Sequence, residues 1–327
     1  MTSVSATEPV NPDIPQYNED EEEMLIGKAK PIVNEVIGYL IDRFPMFAQL
    51  ILERLRVRVD FKCYAAWTNG VVLAYNPGWV AGHTILQVAF LFAHEIMHNL
   101  MCHTTRRENR SGKIWNVAGD YAINSILLNY HVGQMPDDAL LDIEKYDGNK
   151  LLTEQIYDLL FEEKIGPEPP KGKGKGEQEG SGGGGQGHDP LEGEVGETME
   201  QQAEKHYEKE IETAGKFGEV RDWKPEENQD ALDGDWNKNT TPDHSPFDVN
   251  PELPVSEEDL QDMWEQAETR AAISAKQKGW GSMELHQTLQ AHRVVTLDWK
   301  DLLREFMKSN DKTKRSYTRI DPRLINA

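Results

Sequence analysis

The sequence predicts a predominantly helical α+β fold, and three observations carry that prediction. Apolar residues recur at helical spacing through most of the chain. Alternation in steps of two is confined to two short runs, beginning at Arg56 and Val71. The stretch 83–103 is apolar on every side of a helical wheel. A helix that is apolar all round belongs inside a domain, so the core is expected to form around 83–103, with a short sheet before it and more helices after it.

Taken in order, residues 1–18 are polar and Pro-rich and are expected to form a disordered arm. Met24, Leu25, Ile32, Val36, Ile37, Leu40 and Ile41 then keep helical spacing, with Pro31 as an interior residue able to split or kink the helix. A second helix over 44–55 follows the break at Pro45. The run RVRVDF from Arg56 places Val57 and Val59 on one face of a strand, and VVLAY from Val71 reads as its neighbour. Thr68-Asn69-Gly70 suits a hairpin turn between the two.

After 83–103 comes the charged loop TTRRENRSGK, and then KIWNVAGDYAINSILLNY over 113–130 resumes helical spacing. Gly119 in its interior points to a close neighbour. Thr153 or Asn149 is positioned to cap a helix reaching Leu160. Residues 165–197 are Gly, Lys, Glu and Pro in low-complexity order and read as a flexible linker. The chain is thus divided into a core over 19–164, the linker, and an acidic, mainly helical C-terminal part over 198–327. In that last part 198–217, a capped helix from Ser256, a helix over 283–292 and LDWKDLLREFM over 297–307 carry helical spacing, whereas 219–254 has no periodicity.

The polar residues inside the apolar stretch are His94, Glu95 and His98, which spell H-E-x-x-H. Two His at i and i+4 share one helical face, as two legs of a tetrahedral zinc site require, and the Glu beside the first can reach a metal-bound water. The bland alternative is a chance match on a solvated helix. The apolar setting counts against it, because burying an unpaired Glu costs several kcal/mol and a cation removes that cost. Zn2+ is therefore the expected cofactor, with Glu95 as general base.

A catalytic zinc site needs a third protein ligand. His103 is one candidate, although five residues past His98 is a rotation of about 140° on an ideal helix and turns it away unless the helix ends at once. Asp120 is the better placed, since a neighbouring antiparallel helix could bring its carboxylate beside both imidazoles; a plain buried polar contact is its other reading. Asn116 and Asn124 lie one turn either side of Asp120 and could bond the ligands or a substrate backbone. Tyr121, Tyr130 and His131 are candidates for steadying an oxyanion, and nothing in the sequence chooses among them.

Composition narrows the partners. A formal net charge of -22 opposes nonspecific attraction to phosphate backbones and anionic lipid surfaces. The basic clusters Arg106, Arg107, Arg110 and Lys312, Lys314, Arg315, Arg319 read as solvated loops or partner contacts, so nucleic acid is not an expected partner. Two cysteines, Cys63 and Cys102, are too few for a disulfide framework and suggest buried thiols in a reducing compartment. The opening MTSVSATEPVNPDIPQYNEDEEE is polar and acidic. The longest apolar run, broken by His94 and Glu95, is too short for a bilayer, so a soluble cytoplasmic protein with no membrane partner is expected.

The order of helices, short sheet and H-E-x-x-H helix is similar to the zincin peptidases, in which the edge strand before the active-site helix binds substrate as an added strand. By that likeness residues 71–75 would be the substrate-facing edge, unless another part of the chain covers it. More specifically, H-E-I-M-H, a basic loop, then I-W-N-V-A-G-D-Y-A-I-N, NKLLTEQIYDLL, the low-complexity insertion and LDWKDLLREFM before SYTRIDPR resemble a bacterial and phage metallopeptidase domain family. Its members often precede a von Willebrand factor A-like domain and are often encoded near a MoxR-type AAA+ ATPase.

The resemblance implies a zincin-like core and a zinc-dependent peptidase acting on protein or peptide. It implies His94, His98 and Asp120 as ligands and Glu95 as base, with an AAA+ ATPase as partner. No D-x-S-x-S metal-adhesion motif is present, so roles resting on an A-like domain are not expected of these residues. The competing expectation is a catalytically inactive zinc-containing adaptor for such an ATPase or another protein.

Overall fold

In the computed structural model, residues 14–137, 139–165, 199–221, 254, 256–277 and 283–293 are described. Most of the expected arm, nearly all of the linker, most of the aperiodic stretch 219–254, the helix expected over 297–307 and the second basic cluster lie outside the described residues.

The chain opens with α1 (Glu19–Arg43), capped by Asn18, whose side chain accepts from the Glu21 N–H while the Glu21 carboxylate accepts from the Asn18 N–H. α1 runs unbroken through Pro31. The carbonyl that Pro31 leaves without a donor belongs to Gly27, and both residues are exposed, so water can take that bond. Burial of Ala29, Val33, Val36 and Leu40 offsets the remaining cost, roughly 3 kcal/mol for an interior proline.

After α2 (Pro45–Arg54), which starts with proline at its first position, come β1 (Arg56–Val59), β2 (Ala66–Thr68) and β3 (Val72–Tyr75). α3 (Pro77–Gly82), α4 (Ile85–Leu100), α5 (Gly112–Asn129) and α6 (Thr153–Ile165) follow. The later segments are α7 (Met199–His206), α8 (Glu208–Phe217), β4 (Gly218–Val220), α9 (Glu257–Gln277) and α10 (Met283–Arg293).

The mostly helical chain thus carries one small mixed sheet, in the order β1-β3-β2-β4. β1 and β3 are neighbours, as expected, but they run parallel and are not the two arms of a hairpin. The turn at Asn69 and Gly70 instead joins β3 to β2, a strand with no alternation because all three of its residues are buried. The expectation that residues 71–75 form the substrate-facing edge is also overturned. β3 lies between β1 and β2, and the other side of β2 is paired in parallel with β4, so the edge strands are β1 and β4.

α4 is the centre of the core: every residue from Val88 to Leu100 is buried, and α1, α2, α5, α9 and β2 pack against it. Asn99 on α4 donates to the Thr68 hydroxyl, which donates to the Val72 carbonyl, tying the helix to the β2–β3 hairpin. α9 packs on α2 and α4 and reaches the same hairpin. The Trp264 indole donates to the Gly70 carbonyl at 2.8 Å, and Gly70, at φ +90°, leaves no room for a Cβ beneath Leu260. Cys63 and Cys102 are buried and not joined to each other. No described helix is long and apolar enough to cross a membrane.

Trp264 is 1% exposed, so Trp264→Ala is expected to lower the unfolding free energy by about 3–5 kcal/mol in urea denaturation. An unchanged midpoint would contradict the seating of α9 on the hairpin.

Candidate metal centre

Two helices build the site. α4 is fixed at its start by a reciprocal cap between Thr84 and Gln87 and buries His94, Glu95 and His98 completely. α5 packs along it and presents Asn116, Asp120 and Asn124 at four-residue intervals; Asp120 and Asn124 are fully buried. The structure brings His94, His98 and Asp120 together, each offering one ligand atom, with those atoms within 4.8 Å of one another.

The Nε2 atoms of His94 and His98 are 2.9 Å apart, and Asp120 Oδ1 lies 3.4 Å from the first and 3.2 Å from the second. Around a tetrahedral zinc with bonds of about 2.0–2.1 Å, neighbouring ligand atoms stand about 3.3 Å apart, so the donor set fits. Neither carboxylate oxygen of Asp120 has a hydrogen-bond partner, nor does either oxygen of Glu95. The Asp120 carboxylate against both imidazoles, with the unpartnered Glu95 carboxylate on the same helix as the two rings, forms a buried acceptor set suited to a cation.

The outer nitrogens of both rings are held. Asn124 donates through Nδ2 to the Leu140 carbonyl at 2.8 Å, which turns its Oδ1 to His94 Nδ1, also at 2.8 Å. His94 therefore carries its proton on Nδ1 and keeps a lone pair on Nε2. His98 Nδ1 meets His103 Nδ1 at 2.9 Å, and His103 Nε2 meets the Thr153 hydroxyl at 2.9 Å. With the proton passed outward along that chain, His98 Nε2 is likewise free to bind metal. Burial pushes the His98 pKa down to about 3 despite the opposing pull of the Asp120 carboxylate 3.2 Å away, so the ring is neutral. Burial, then the Arg106 charge, also lowers that of His103.

His103 thus lies outside the donor cluster and behind one of its members. α4 ends at Leu100, and Cys102 adopts φ +54°, so that the His103 N–H bonds the His98 carbonyl and the Cys102 N–H bonds the Asn99 carbonyl. This left-handed stop folds His103 back over the helix it has just left. Thr153 was a candidate helix cap, but its hydroxyl serves His103, and the Gln155 side chain accepts from the Leu152 N–H at the start of α6.

Burial, then the neighbouring Asp120 charge, raises the Glu95 pKa well above the ordinary carboxylate range, with Arg221 acting in the opposite sense. A cation at this site would pull it back. Asn116 lies at one side of the cluster and bonds the β4 backbone, donating to the Gly218 carbonyl at 3.0 Å.

The oxyanion candidates go elsewhere. Tyr121 packs its ring 4.7 Å from that of Tyr146, the Tyr130 hydroxyl meets Thr288, and His131 is exposed in the turn after α5. In the basic loop, Arg106 pairs with Glu154 and the Met101 carbonyl, and Arg110 lies over the Trp115 ring. Sequence reasoning missed Thr153 as a site residue and Gly218, whose Cα faces Glu95 and His94.

A family model described as "Putative metallopeptidase domain" matches residues 33–326. An uncharacterised protein of Thermotoga maritima is 31% identical over 84 residues, covering 25% of this chain and 21% of that protein's length. No solved structure matches the chain.

A Cβ at Gly119 would stand 2.9 Å from His103 Nδ1, 3.0 Å from its Cε1 and 3.2 Å from His98 Cε1. Both rings are buried and tethered and cannot swing aside. Gly119→Ala is therefore expected to cost about 1–3 kcal/mol of stability in chemical denaturation, and a neutral result would contradict this packing.

Proposed function

The chain belongs to the metallopeptidase-domain family whose model spans residues 33–326, and on that footing we propose that it is a zinc-dependent peptidase with a zincin-like core. His94, His98 and Asp120 hold the ion and Glu95 is the general base. One observation carries this reading. Among the described residues, the convergent donors number three, not four, and a fully buried Glu with no hydrogen-bond partner adjoins them. Three protein ligands leave a tetrahedral ion one position for water, which distinguishes a catalytic zinc from a structural one and favours hydrolysis over the adaptor role.

Bound zinc supplies a water of near-neutral pKa and polarises the scissile carbonyl. The chain's residues do the rest. Glu95 takes the proton of the attacking water and delivers it to the leaving amine. Asn124 and the His103–Thr153 pair hold the two imidazoles in the ligating tautomer and orientation. The surrounding apolar side chains of α4 exclude bulk water and strengthen each of these electrostatic interactions.

Purified protein is expected to contain one zinc per chain. Glu95→Gln is expected to keep that zinc while losing caseinolytic activity by about 100-fold or more. Equal activity in wild type and variant would refute the assignment. Asp120→Ala is expected to lose the zinc, whereas His103→Ala should retain it with an affinity weakened about 10–100-fold in a competitive chelator titration. The opposite order would make His103 the ligand.

A further inference from the structure

The sheet edge beside the cluster is filled by the chain itself. β4 pairs in parallel with β2, Gly218 opposite Ala66, Glu219 opposite Trp67 and Val220 opposite Thr68, and the Arg221 N–H continues the ladder by donating to the Thr68 carbonyl at 2.9 Å. On its other side one amide grips the same short strand twice. Asn116 donates through Nδ2 to the Gly218 carbonyl at 3.0 Å and accepts through Oδ1 from the Val220 N–H at 3.3 Å.

Just before the strand, the Phe217 ring is buried with its centroid 4.9 Å from that of His94, 6.1 Å from Phe90 and 6.5 Å from Trp79. The space a Cβ would need at position 218 is already taken by Glu95 Oε1, and His94 Nε2 and Cδ2 are both 3.1 Å from it.

These contacts recognise an extended backbone on both edges, seat one aromatic side chain in an apolar pocket, and place the next residue on the proposed base. That is how a groove holds a polypeptide strand. A scissile carbonyl and its attacking water would need the volume that Gly218 fills. Glycine is a weak strand former, and in a strand it marks close approach to another group. Here it is the one residue type that fits over Glu95.

Resting on the peptidase reading above, we propose that residues 217–221 are the chain's own occupant of its substrate groove. The groove takes an extended polypeptide, with an aromatic or large apolar side chain in the pocket of Phe217, and substrate enters by displacing this segment. Asn116 and the backbone of β2 then grip substrate in place of β4.

The test uses the full zinc-loaded chain and an acylated phenylalanine hydroxamate as probe. Affinity is measured by calorimetry, zinc content by mass spectrometry and helicity by circular dichroism, for wild type and two variants. Gly218→Val adds a side chain where Glu95 stands, and Val220→Pro removes the N–H that Asn116 accepts without adding bulk over the base. Both are expected to retain zinc and helicity and to bind the probe at least tenfold more tightly than wild type.

Unchanged or weaker binding in both variants, with zinc and helicity intact, would overturn the occupancy while leaving the peptidase reading standing. Loss of helicity in both would show that the strand serves the fold, and would also overturn it. A wild-type chain that binds no zinc would instead overturn the peptidase reading, and this proposal with it.

Discussion

Four ionisable side chains sit in the driest part of this protein. His94, Glu95 and His98 on α4 and Asp120 on α5 are all fully buried, and both carboxylates lack hydrogen-bond partners. Removing a carboxylate from water without compensation costs several kcal/mol, so the surrounding structure must either neutralise these groups or supply a cation. The two Nε2 atoms and Asp120 Oδ1 converge as a cation's ligands would, and the nearby contacts serve that convergence. Asn124 turns one ring, the His103–Thr153 pair turns the other, and Gly119 lets α5 approach closely enough for Asp120 to reach both.

The fold positions these groups by surrounding α4 with apolar helices and tying it to the hairpin through Asn99 and Thr68. The hairpin in turn is held from outside by α9, through Trp264 and Leu260. One side of α4 remains, the side towards Glu95, and there the covering element is a three-residue strand centred on Glu219 and gripped by Asn116. Stability and access to the site therefore meet at β4, a three-residue strand and the most sequence-distant member of the sheet.

The helices were legible because their signal is local. A buried amphipathic or wholly apolar run repeats at 3.6 residues wherever it occurs, and α1, α2, α4, α5, α9 and α10 could be read from it. The same periodicity placed Asp120 on the polar stripe of α5 and made it a candidate companion for His94 and His98, beside which the structure brings it. The sheet was not legible in this way. β2 is three residues with no exposed face, and β4 is Gly-Glu-Val inside an aperiodic region, so neither carries alternation. The parallel pairing of β1 with β3 depends on a crossover that spacing alone cannot reveal. The fate of His103 turned on a left-handed Cys102, a conformation that glycine would have signalled and cysteine does not.

The chemistry proposed for this site rests on a cation joining His94, His98 and Asp120. A zinc K-edge absorption spectrum of the purified chain reads those ligands. The expected spectrum shows two imidazole nitrogens and light oxygen scatterers, all at about 2.0–2.2 Å and with no sulfur. A sulfur shell near about 2.3 Å, or a protein that binds no zinc at all, would contradict it.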